Sequence, residues 1–545
     1  MQLPRGSHLA LIFSLASSIT AKSPSHSSVP IIDLGYVQYA GYANETAGIN
    51  YYRGIKYASA PTGPLRWQKP SPIEADPTYT GQIIQATTQA PACFQALPTY
   101  LPRSFSETPQ GQSEDCLILD VLVPSEPSSE NLPVMLQIHG GGYGVGNALT
   151  FPGDAMVNAS DGGLIYVSIQ YRLNIFGFLA GSEVKENGVQ NAGLYDQRAA
   201  IEWVQRHISA FGGDPSKITI WGGSAGGSSV TYQLMAAGGF GVPPFRAAIA
   251  EYPWWQPLLN SSTQEIQYDL ALQASGCSDI NCLRQLSSDD LASAGQADLN
   301  NSYRHTGDGY GTFWFGPVVD GEFIQDLPDV AFKKGNYYKV PLLVDREGYE
   351  GDIFSNGSQT TQIEETMDAQ NLFPSAGPAF FSRLYQLYPR SAYNSTFFQR
   401  QSWFGDFIIN CPTYQITASA VDQTSNSSAV FKLVFDAGTQ LHGATSAFLA
   451  SNITGWPSAN NHTLAAIMSS YWISFATALD PNPLRTAEAP FWPSYVSDGA
   501  GSAAEGESVG FEVLEVTYGG IQAVEDPDAR IQCEFFLNKG YTLRN

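Results

Sequence analysis

The sequence predicts an α/β protein in which helices flank a large, mostly parallel central sheet. Short apolar runs alternate with longer stretches of helical periodicity, and glycine or proline residues separate them. Strands and helices that alternate in this way typically build a parallel sheet, whose functional sites gather at the carboxyl ends of the strands. Hydrophobic residues make up 43% of the 545-residue chain and charged residues only 14%, which provides for a large core.

The alternation is clearest in the middle of the chain. Apolar spacings of three, four or seven residues from Leu194 to Phe211 predict a helix that ends at Gly212-Gly213. A second helix is predicted over 225–237, because Gly238-Gly239 directly after it is expected to end the helix. The apolar runs that predict buried strands are 134–138, 164–169, 217–221, 247–251, 340–344 and 431–435.

The N-terminus has the pattern of a secretory signal peptide. Arg5 precedes a short apolar run over 9–15, and Ala21 is a small residue suited to cleavage. The alternative is a buried N-terminal helix. We expect residues 1–21 to be the signal and 22–545 to form a single domain of an extracellular protein. No later apolar run has the ~18 residues that a membrane-spanning helix requires, so we expect no stable membrane insertion.

Sequons and cysteines agree with export. An even number of cysteines in a secreted chain predicts disulfides, with 15 possible pairings of the six residues. Zinc is the alternative ligand, but the chain has no CxxC and no histidine near a cysteine pair, so we expect no metal. The cysteines are Cys93, Cys116, Cys277, Cys282, Cys411 and Cys533. The glycosylation sequons begin at Asn44, Asn158, Asn260, Asn300, Asn356, Asn394, Asn426, Asn452 and Asn461.

The charge of the chain excludes some classes of partner. The formal net charge is −23 at pH 7. Such a field repels nucleic acids and anionic membranes, and it mildly disfavours anionic substrates.

Ser224 is the first candidate catalytic residue. The segment from Gly222 to Gly226 fits the pattern G-x-S-x-G, with a predicted strand before it and a predicted helix after it. Glycines two residues either side of a serine allow a sharp turn that exposes the hydroxyl above a sheet. The alternative is a turn of small residues that contains a serine by chance. The N–H groups at the start of the helix would favour a developing negative charge.

A serine nucleophile needs a base and an orienting acid. Seven histidines occur in the chain, and in this type of fold the base comes last, after serine and acid. His442 follows the predicted strand 431–435 directly, whereas His462 lies within a sequon. The alternative for His442 is a structural role in its loop. The candidate acids after strand 340–344 are Asp345, Glu347, Glu350 and Asp352, and spacing alone does not choose among them.

A glycine-rich loop supplies a second catalytic element. His139-Gly140-Gly141-Gly142 follows the predicted strand 134–138. Successive glycines let backbone N–H groups approach a reacting oxygen, which is how an oxyanion hole is built. A phosphate-binding loop is the alternative, but the G-K-S/T ending of that motif is absent.

These motifs resemble the type-B carboxylesterase/lipase family, the cholinesterase-like α/β-hydrolases, and in particular its secreted fungal members. The ordered matches, which cover nearly all of the mature chain, are YRGIKYASAPTGPLRW, SEDCLILDVLVP, HGGGYGVG, VSIQYRLNIFGFL, NAGLYDQRAAIEWVQRHISAFGGDPSKITIWGGSAGG, GPVVDG, WISFATALDPNP and FWPSY. The resemblance implies the α/β-hydrolase fold, with a gorge at the strand ends, and a serine carboxylic-ester hydrolase that needs no cofactor.

The resemblance also assigns roles to residues. It implies Ser224 as nucleophile, His442 as base and Glu350 as acid, because Glu350-Gly351-Asp352-Ile353-Phe354 fits the family's E-G-x-x-F pattern. Asp345 and Glu347 remain the alternatives. The implied oxyanion donors are the N–H groups of Gly141, Gly142 and Ala225. The family disulfides match Cys93–Cys116 and Cys277–Cys282, which leaves Cys411–Cys533 by subtraction.

Substrate class is the least determined property. Aromatic residues in segments that the family places around the gorge could line an apolar pocket or could pack in the core, and we expect about half to touch substrate. These residues are Tyr252, Trp254, Trp255, Phe313, Trp314 and Phe315, with Tyr143 beside the oxyanion glycines. Gly223 stands where cholinesterases carry an acidic residue, and the loop from Cys93 to Cys116 has no tryptophan, so we expect neutral esters. A lipase, a sterol esterase or a non-catalytic binding protein are the alternatives.

Overall fold

The computed structural model describes residues 29–101, 108, 110–302, 309–423, 429–450, 461–496 and 511–545. The expected signal peptide at 1–21 and the sequons at Asn426 and Asn452 lie outside the described residues.

The central feature is a mixed sheet to which 11 strands of the described residues belong. Its strand order is β14-β13-β12-β11-β10-β9-β7-β8-β6-β4-β3, and the seven strands from β13 to β8 in that order run parallel. A small sheet joins β1, β2 and β5. The strands are β1 Ile31–Asp33, β2 Gln38–Ala40, β3 Tyr42–Asn44, β4 Ile49–Lys56, β5 Ile83–Gln85, β6 Ile118–Pro124, β7 Leu132–Ile138, β8 Ile165–Ile169, β9 Gly213–Gly223, β10 Ala247–Glu251, β11 Leu342–Glu347, β12 Val430–Asp436, β13 Glu512–Thr517 and β14 Gly520–Glu525.

Helices cover both faces of this sheet. One core cluster packs α4, α5 and α13 against it, and a second packs α1, α14 and α15 against the other side. The helices are α1 Asp154–Ala159, α2 Asn174–Phe178, α3 Ser182–Asn187, α4 Ala192–His207, α5 Ala225–Met235, α6 Ser261–Ser275, α7 Ile280–Gln285, α8 Ser288–Ser302, α9 Pro328–Lys334, α10 Gln362–Leu372, α11 Pro378–Leu387, α12 Thr396–Gly405, α13 Cys411–Gln423, α14 Ala444–Leu449, α15 His462–Ala478, α16 Ile531–Leu537 and α17 Gly540–Leu543. A π-helical turn, Asp406–Asn410, joins α12 to α13.

The fold class predicted from the sequence is confirmed, and so are most of the predicted central elements. Strand β10 matches its prediction residue for residue, and α4 ends in a 3₁₀ turn before the left-handed Gly212. Strand β9 begins four residues before its predicted start and ends two residues after its predicted end. Strand β11 continues three residues beyond the predicted end and therefore contains Asp345 and Glu347. Both side chains are buried, whereas acidic residues after an apolar run usually indicate a solvated loop.

In the part of the chain that the structure describes, no helix combines the length and apolar character needed to cross a membrane.

Candidate active site

The turn between β9 and α5 holds Ser224 above the carboxyl end of the sheet. Ser224 has φ 60° and ψ −125°, a strained conformation for a residue with a side chain. A Cβ at Gly222 would lie 2.6 Å from the carbonyl oxygen of Ile138, and one at Gly226 would lie 2.1 Å from the same atom. The flanking glycines are therefore required by the close approach of β7, and they leave the serine partly exposed.

Three side chains from different loops form a line of hydrogen bonds. The Ser224 Oγ lies 2.8 Å from His442 Nε2, and His442 Nδ1 lies 2.6 Å from Glu350 Oε2. The second oxygen of Glu350 accepts the backbone N–H of Glu347 at 2.7 Å. With Nδ1–H donated to the carboxylate, Nε2 is the nitrogen available to accept the serine proton. Of the four candidate acids, Glu350 is the one that contacts the imidazole through a hydrogen bond.

Burial sets the protonation of this line. The His442 side chain is only 7% exposed, and burial lowers its pKa to about 4, although the neighbouring Glu347 works in the opposite direction. The imidazole is therefore neutral near pH 7 and able to act as a base. Burial also raises the pKa of Glu350 to about 7, while its hydrogen bonds with Glu347 work in the opposite direction.

The glycine loop lies directly against the serine. A Cβ at Gly140 would lie 2.6 Å from the carbonyl oxygen of Gly223 and 3.1 Å from the Ser224 Cβ. Gly141 and Gly142 have φ 107° and 61°. Among the described residues, no hydrogen bond uses the backbone N–H of either glycine. These two N–H groups are thus free to bind a ligand oxygen. Ala225 is the first residue of α5, directly after Ser224.

The candidate aromatic residues divide into two groups. Tyr252 and Trp254 place their ring centroids 4.9 and 5.9 Å from that of His442, and the ring of Phe313 covers Gly142. The others belong to the main core. Trp255 donates to Thr231, Trp314 donates to Asp298, Phe315 packs in the core, and Tyr143 lies 2.6 Å from Ser228 Oγ through its hydroxyl.

Gly223 has a packing role that the sequence did not reveal. A Cβ at this position would lie 2.3 Å from the hydroxyl oxygen of Tyr252, and that hydroxyl lies 2.8 Å from Ser446 Oγ. Any side chain at Gly223 therefore requires Tyr252 to move away from His442. Tyr252 therefore occupies the space that a carboxylate side chain at position 223 would need.

Sequence reasoning left out further residues of the site. The Phe354 ring lies 5.0 Å from that of His442 and 4.2 Å from that of Trp254, which closes an aromatic wall around the imidazole. Phe354 is the phenylalanine of the E-G-x-x-F pattern, so the sequence could have indicated that it lies near the site. Thr445 donates its backbone N–H to Glu347 at 3.2 Å, a contact that no sequence pattern signals.

The cysteines and sequons lie as follows. Disulfides join Cys93 to Cys116, Cys277 to Cys282 and Cys411 to Cys533, the three expected pairs. The exposed sequon asparagines are Asn44, Asn158, Asn300, Asn394 and Asn461, and the half-buried ones are Asn260 and Asn356.

One group of side chains also has the ligand types of a cation site. An oxygen each of Glu347 and Glu350 and a ring nitrogen of His442 lie within 4.8 Å of one another. Glu350 and His442 are already joined by their hydrogen bond, so we do not identify these residues as metal ligands.

The sheet order, the sharp serine turn and the hydrogen-bonded line together define an α/β-hydrolase. The carboxylesterase family model matches residues 29–506, and the chain belongs to this family. It is therefore a carboxylic ester hydrolase that acts on small-molecule esters.

Named relatives include both lipases and esterases. The chain is 32% identical over 502 residues to Secreted lipase 1 of Botryotinia fuckeliana (strain B05.10), covering 83% of this chain and 85% of that protein. It is 29% identical over 470 residues to para-nitrobenzyl esterase of Bacillus subtilis (strain 168), covering 82% and 89%. The crystal structure of Aspergillus niger EstA superposes with a TM-score of 0.82 at 29% identity, covering 96% of this chain and 100% of that one.

Proposed function

We propose that the protein hydrolyses neutral, largely apolar carboxylic esters through Ser224, His442 and Glu350. The observation that carries the proposal is the continuous line of hydrogen bonds from Ser224 Oγ through the imidazole to Glu350. The neutral imidazole takes the serine proton as Oγ attacks the ester carbonyl carbon. Glu350 holds the imidazole in the correct tautomer and stabilises the imidazolium that forms.

The tetrahedral intermediate places a negative oxygen beside the glycine loop. The N–H groups of Gly141, Gly142 and Ala225 are the proposed donors to this oxyanion. His442 then gives its proton to the departing alcohol, which leaves an acyl group on Ser224. Water attacks the acyl-enzyme by the same route in reverse, with His442 again as base, and the acid product leaves.

The proposed preference for neutral esters rests on what surrounds the serine. Tyr252, Trp254, Phe313 and Phe354 present apolar rings around His442 and Gly142, and Gly223 supplies no carboxylate next to the nucleophile. A carboxylate next to the nucleophile would attract a quaternary ammonium ion, and Gly223 supplies none. We therefore infer that choline esters are poor substrates.

Secretion and glycosylation are part of the proposal. Three disulfides and the sequons exposed among the described residues fit an oxidising, extracellular environment, and one relative is a secreted lipase. The sequence of residues 1–21 supports a cleaved signal, with 22–545 as one catalytic domain. Detection of the mature N-terminus at residue 22 in culture medium tests this, and an intracellular full-length chain would contradict it.

A lipase or sterol esterase is the second candidate, because several named relatives are lipases. Hydrolysis of p-nitrophenyl esters of increasing acyl length distinguishes the two. We expect the highest kcat/KM on short to medium acyl chains in free solution. A sharp preference for long chains with activation at an oil–water interface would favour the lipase.

The catalytic proposal is tested by Ser224→Ala. The matched control is Ser229→Ala, which removes a buried hydroxyl from the same helix, where it bonds to Gln197 and the Ala225 carbonyl. We expect the first variant to lose about 10⁶-fold in kcat, as a lost nucleophile does, and the second to retain most of its activity. If Ser224→Ala were as active as wild type, another residue would be the nucleophile, and if neither hydrolysed any ester, the non-catalytic alternative would remain.

A further inference from the structure

Three buried acids lie behind the catalytic line without a role in it. Glu251 ends β10 and is paired in register with Asp345 of β11, so the two side chains lie on the same face of the sheet. Glu347 is two residues further along β11 and shares that face. Their exposed fractions are 2%, 0% and 0%. Such acids are rare unless they are paired with cations.

Each of these acids has one oxygen with a hydrogen bond and one without. Glu251 accepts from the Trp221 indole at 2.5 Å, Asp345 from the Tyr252 N–H at 3.1 Å, and Glu347 from the Thr445 N–H at 3.2 Å. Glu251 Oε1, Asp345 Oδ2 and Glu347 Oε2 have no partner among the described residues. A buried anion without a partner is costly, whereas a protonated carboxyl avoids most of that cost.

Glu347 is the acid that touches both catalytic loops. Its backbone N–H donates to Glu350, and its carboxyl accepts from Thr445, three residues after His442. One of its oxygens also lies within 4.8 Å of an oxygen of Glu350 and a nitrogen of His442. Two carboxyls so close together in a buried site do not both ionise near neutral pH.

We propose that Glu347 is a positioning residue that ties the Glu350 loop to the loop of His442 and keeps a proton, so that it does not repel Glu350. The inference rests on the proposed Ser224–His442–Glu350 mechanism. With Glu347 neutral, Glu350 carries the charge that the imidazolium needs. An ionised Glu347 would repel Glu350 and so disturb the position of the acid that orients His442.

The surroundings agree with a proton on Glu347 rather than on Glu350. Burial and the nearby Glu350 raise the pKa of Glu347 well above its ordinary value, while the pKa of Glu350 reaches only about 7. The other ionisable groups around them are Asp345 and Arg346 on the same strand, Glu251 and Tyr252 from β10 and its loop, His442, and Asp528 across the sheet.

The test compares Glu347→Gln with Glu347→Ala by kcat/KM on a soluble ester from about pH 5 to about pH 9. Glutamine keeps the shape, the acceptor for Thr445 and a permanent neutral donor, so it should rescue function. We expect a loss of no more than about threefold for Gln and at least about tenfold for Ala near pH 7. The matched control is Glu365→Gln, at a buried glutamate that accepts a hydrogen bond from the Trp403 indole and has no contact with Ser224, His442 or Glu350 among the hydrogen bonds of the described residues.

The pH profile separates this role from simple packing. The activity of Glu347→Gln relative to wild type should stay constant in acid and rise in alkali, because only the wild type can lose the proton. If Glu347 were ionised at pH 7, Gln would lose as much activity as Ala, and its relative activity would recover towards low pH. Either of those results would overturn the proposal.

Failure of this inference differs from failure of the proposed function. Ser224→Ala, assayed beside the Glu347 variants, sets the background rate. If wild type matches that background, the mechanism itself is wrong. If wild type is active and the Gln and Ala variants behave alike, only the role of Glu347 is wrong.

Discussion

The two faces of β11 bury the same kind of residue in opposite electrostatic states. On one face, Asp345 and Glu347 lie near Glu251 and Glu350 with few cationic partners. On the other, Arg346 forms a salt bridge with Asp528 at 2.9 Å, and Lys432 of β12 contacts Asp526 and Asp528 at 2.7 and 2.8 Å. All these groups are nearly inaccessible to water.

Partners rather than burial decide which acids ionise. Burial, together with the neighbouring acid Glu347, raises the pKa of Glu251 to about 8. Burial acts on Asp528 in the same direction, but Arg346 and Lys432 outweigh it and lower the pKa of Asp528 below its ordinary value. We call the face of Arg346 and Lys432 the paired face and the face of Asp345 and Glu347, which lies towards Glu350, the catalytic face. Under the proposed mechanism the paired face holds ion pairs, and the catalytic face holds protonated carboxyls.

The largest effect should come from Glu350→Gln on the catalytic face. An amide cannot hold His442 in the tautomer that presents Nε2 to Ser224, so we expect kcat to fall by about 10⁴-fold with little change in folding stability. Steady-state kinetics on a soluble ester and urea unfolding measure the two quantities. A loss below about tenfold would mean that another acid, Asp345 or Glu347, performs this role.

Asp528→Asn should have the largest effect on the paired face. The substitution leaves the buried Arg346 without its carboxylate partner, whereas Lys432 keeps Asp526. Breaking such a pair typically costs about 3–5 kcal/mol of unfolding free energy. Urea unfolding near pH 7 measures this cost. Unchanged stability would show that the network contributes little and that the contrast between the faces is weaker than the distances indicate.

The pH dependence of folding stability should reveal the raised pKa of Glu251, which lies on the same face of the sheet as Asp345. The pKa of Glu251 is about 8 in the folded protein and ~4.3 in an unfolded chain, so between these values the folded state binds more protons. Stability should therefore fall as pH rises through this window, by up to about 1.4 kcal/mol per pH unit for such a group.

Glu251→Gln isolates that contribution from the general repulsion of a chain with net charge −23. The variant should be more stable relative to wild type at about pH 8 than at about pH 5, as measured by urea midpoints. The exposed Glu512→Gln is the control for a lost charge. Parallel curves for wild type and Glu251→Gln would show that Glu251 is ionised throughout.

The smallest effect should come from Asp345→Asn. The amide oxygen can still accept the Tyr252 N–H, and no charge is lost if Asp345 is already protonated, so we expect a stability change below about 1 kcal/mol. This substitution is the matched counterpart of Asp528→Asn, and urea unfolding compares the two directly. Equal losses would contradict the assignment of opposite charge states to the two faces.

Local patterns were enough to predict six strands of the central sheet, the serine turn and the histidine loop. Apolar runs mark β7 to β12, and the glycines around Ser224 have a steric cause that spacing alone indicates. The predicted end of β11 at residue 344 was wrong, because acidic residues such as Asp345 and Glu347 are typical of a solvated loop. Their burial depends on contacts from β10 and Thr445, which the local sequence does not reveal. Trp255 packs in the main core, whereas its neighbour Trp254 packs in a separate cluster of buried aromatic residues. Tertiary contacts determine this difference, and the local sequence does not.

The most direct test of the account is to label the native protein with a fluorophosphonate and map the adduct by mass spectrometry. We expect about one adduct per chain, located on the peptide that contains Ser224, and slower labelling of Glu350→Gln because its imidazole is misoriented. A label on another residue, or no more labelling of wild type than of Ser224→Ala, would contradict the assignment of Ser224 as the activated nucleophile.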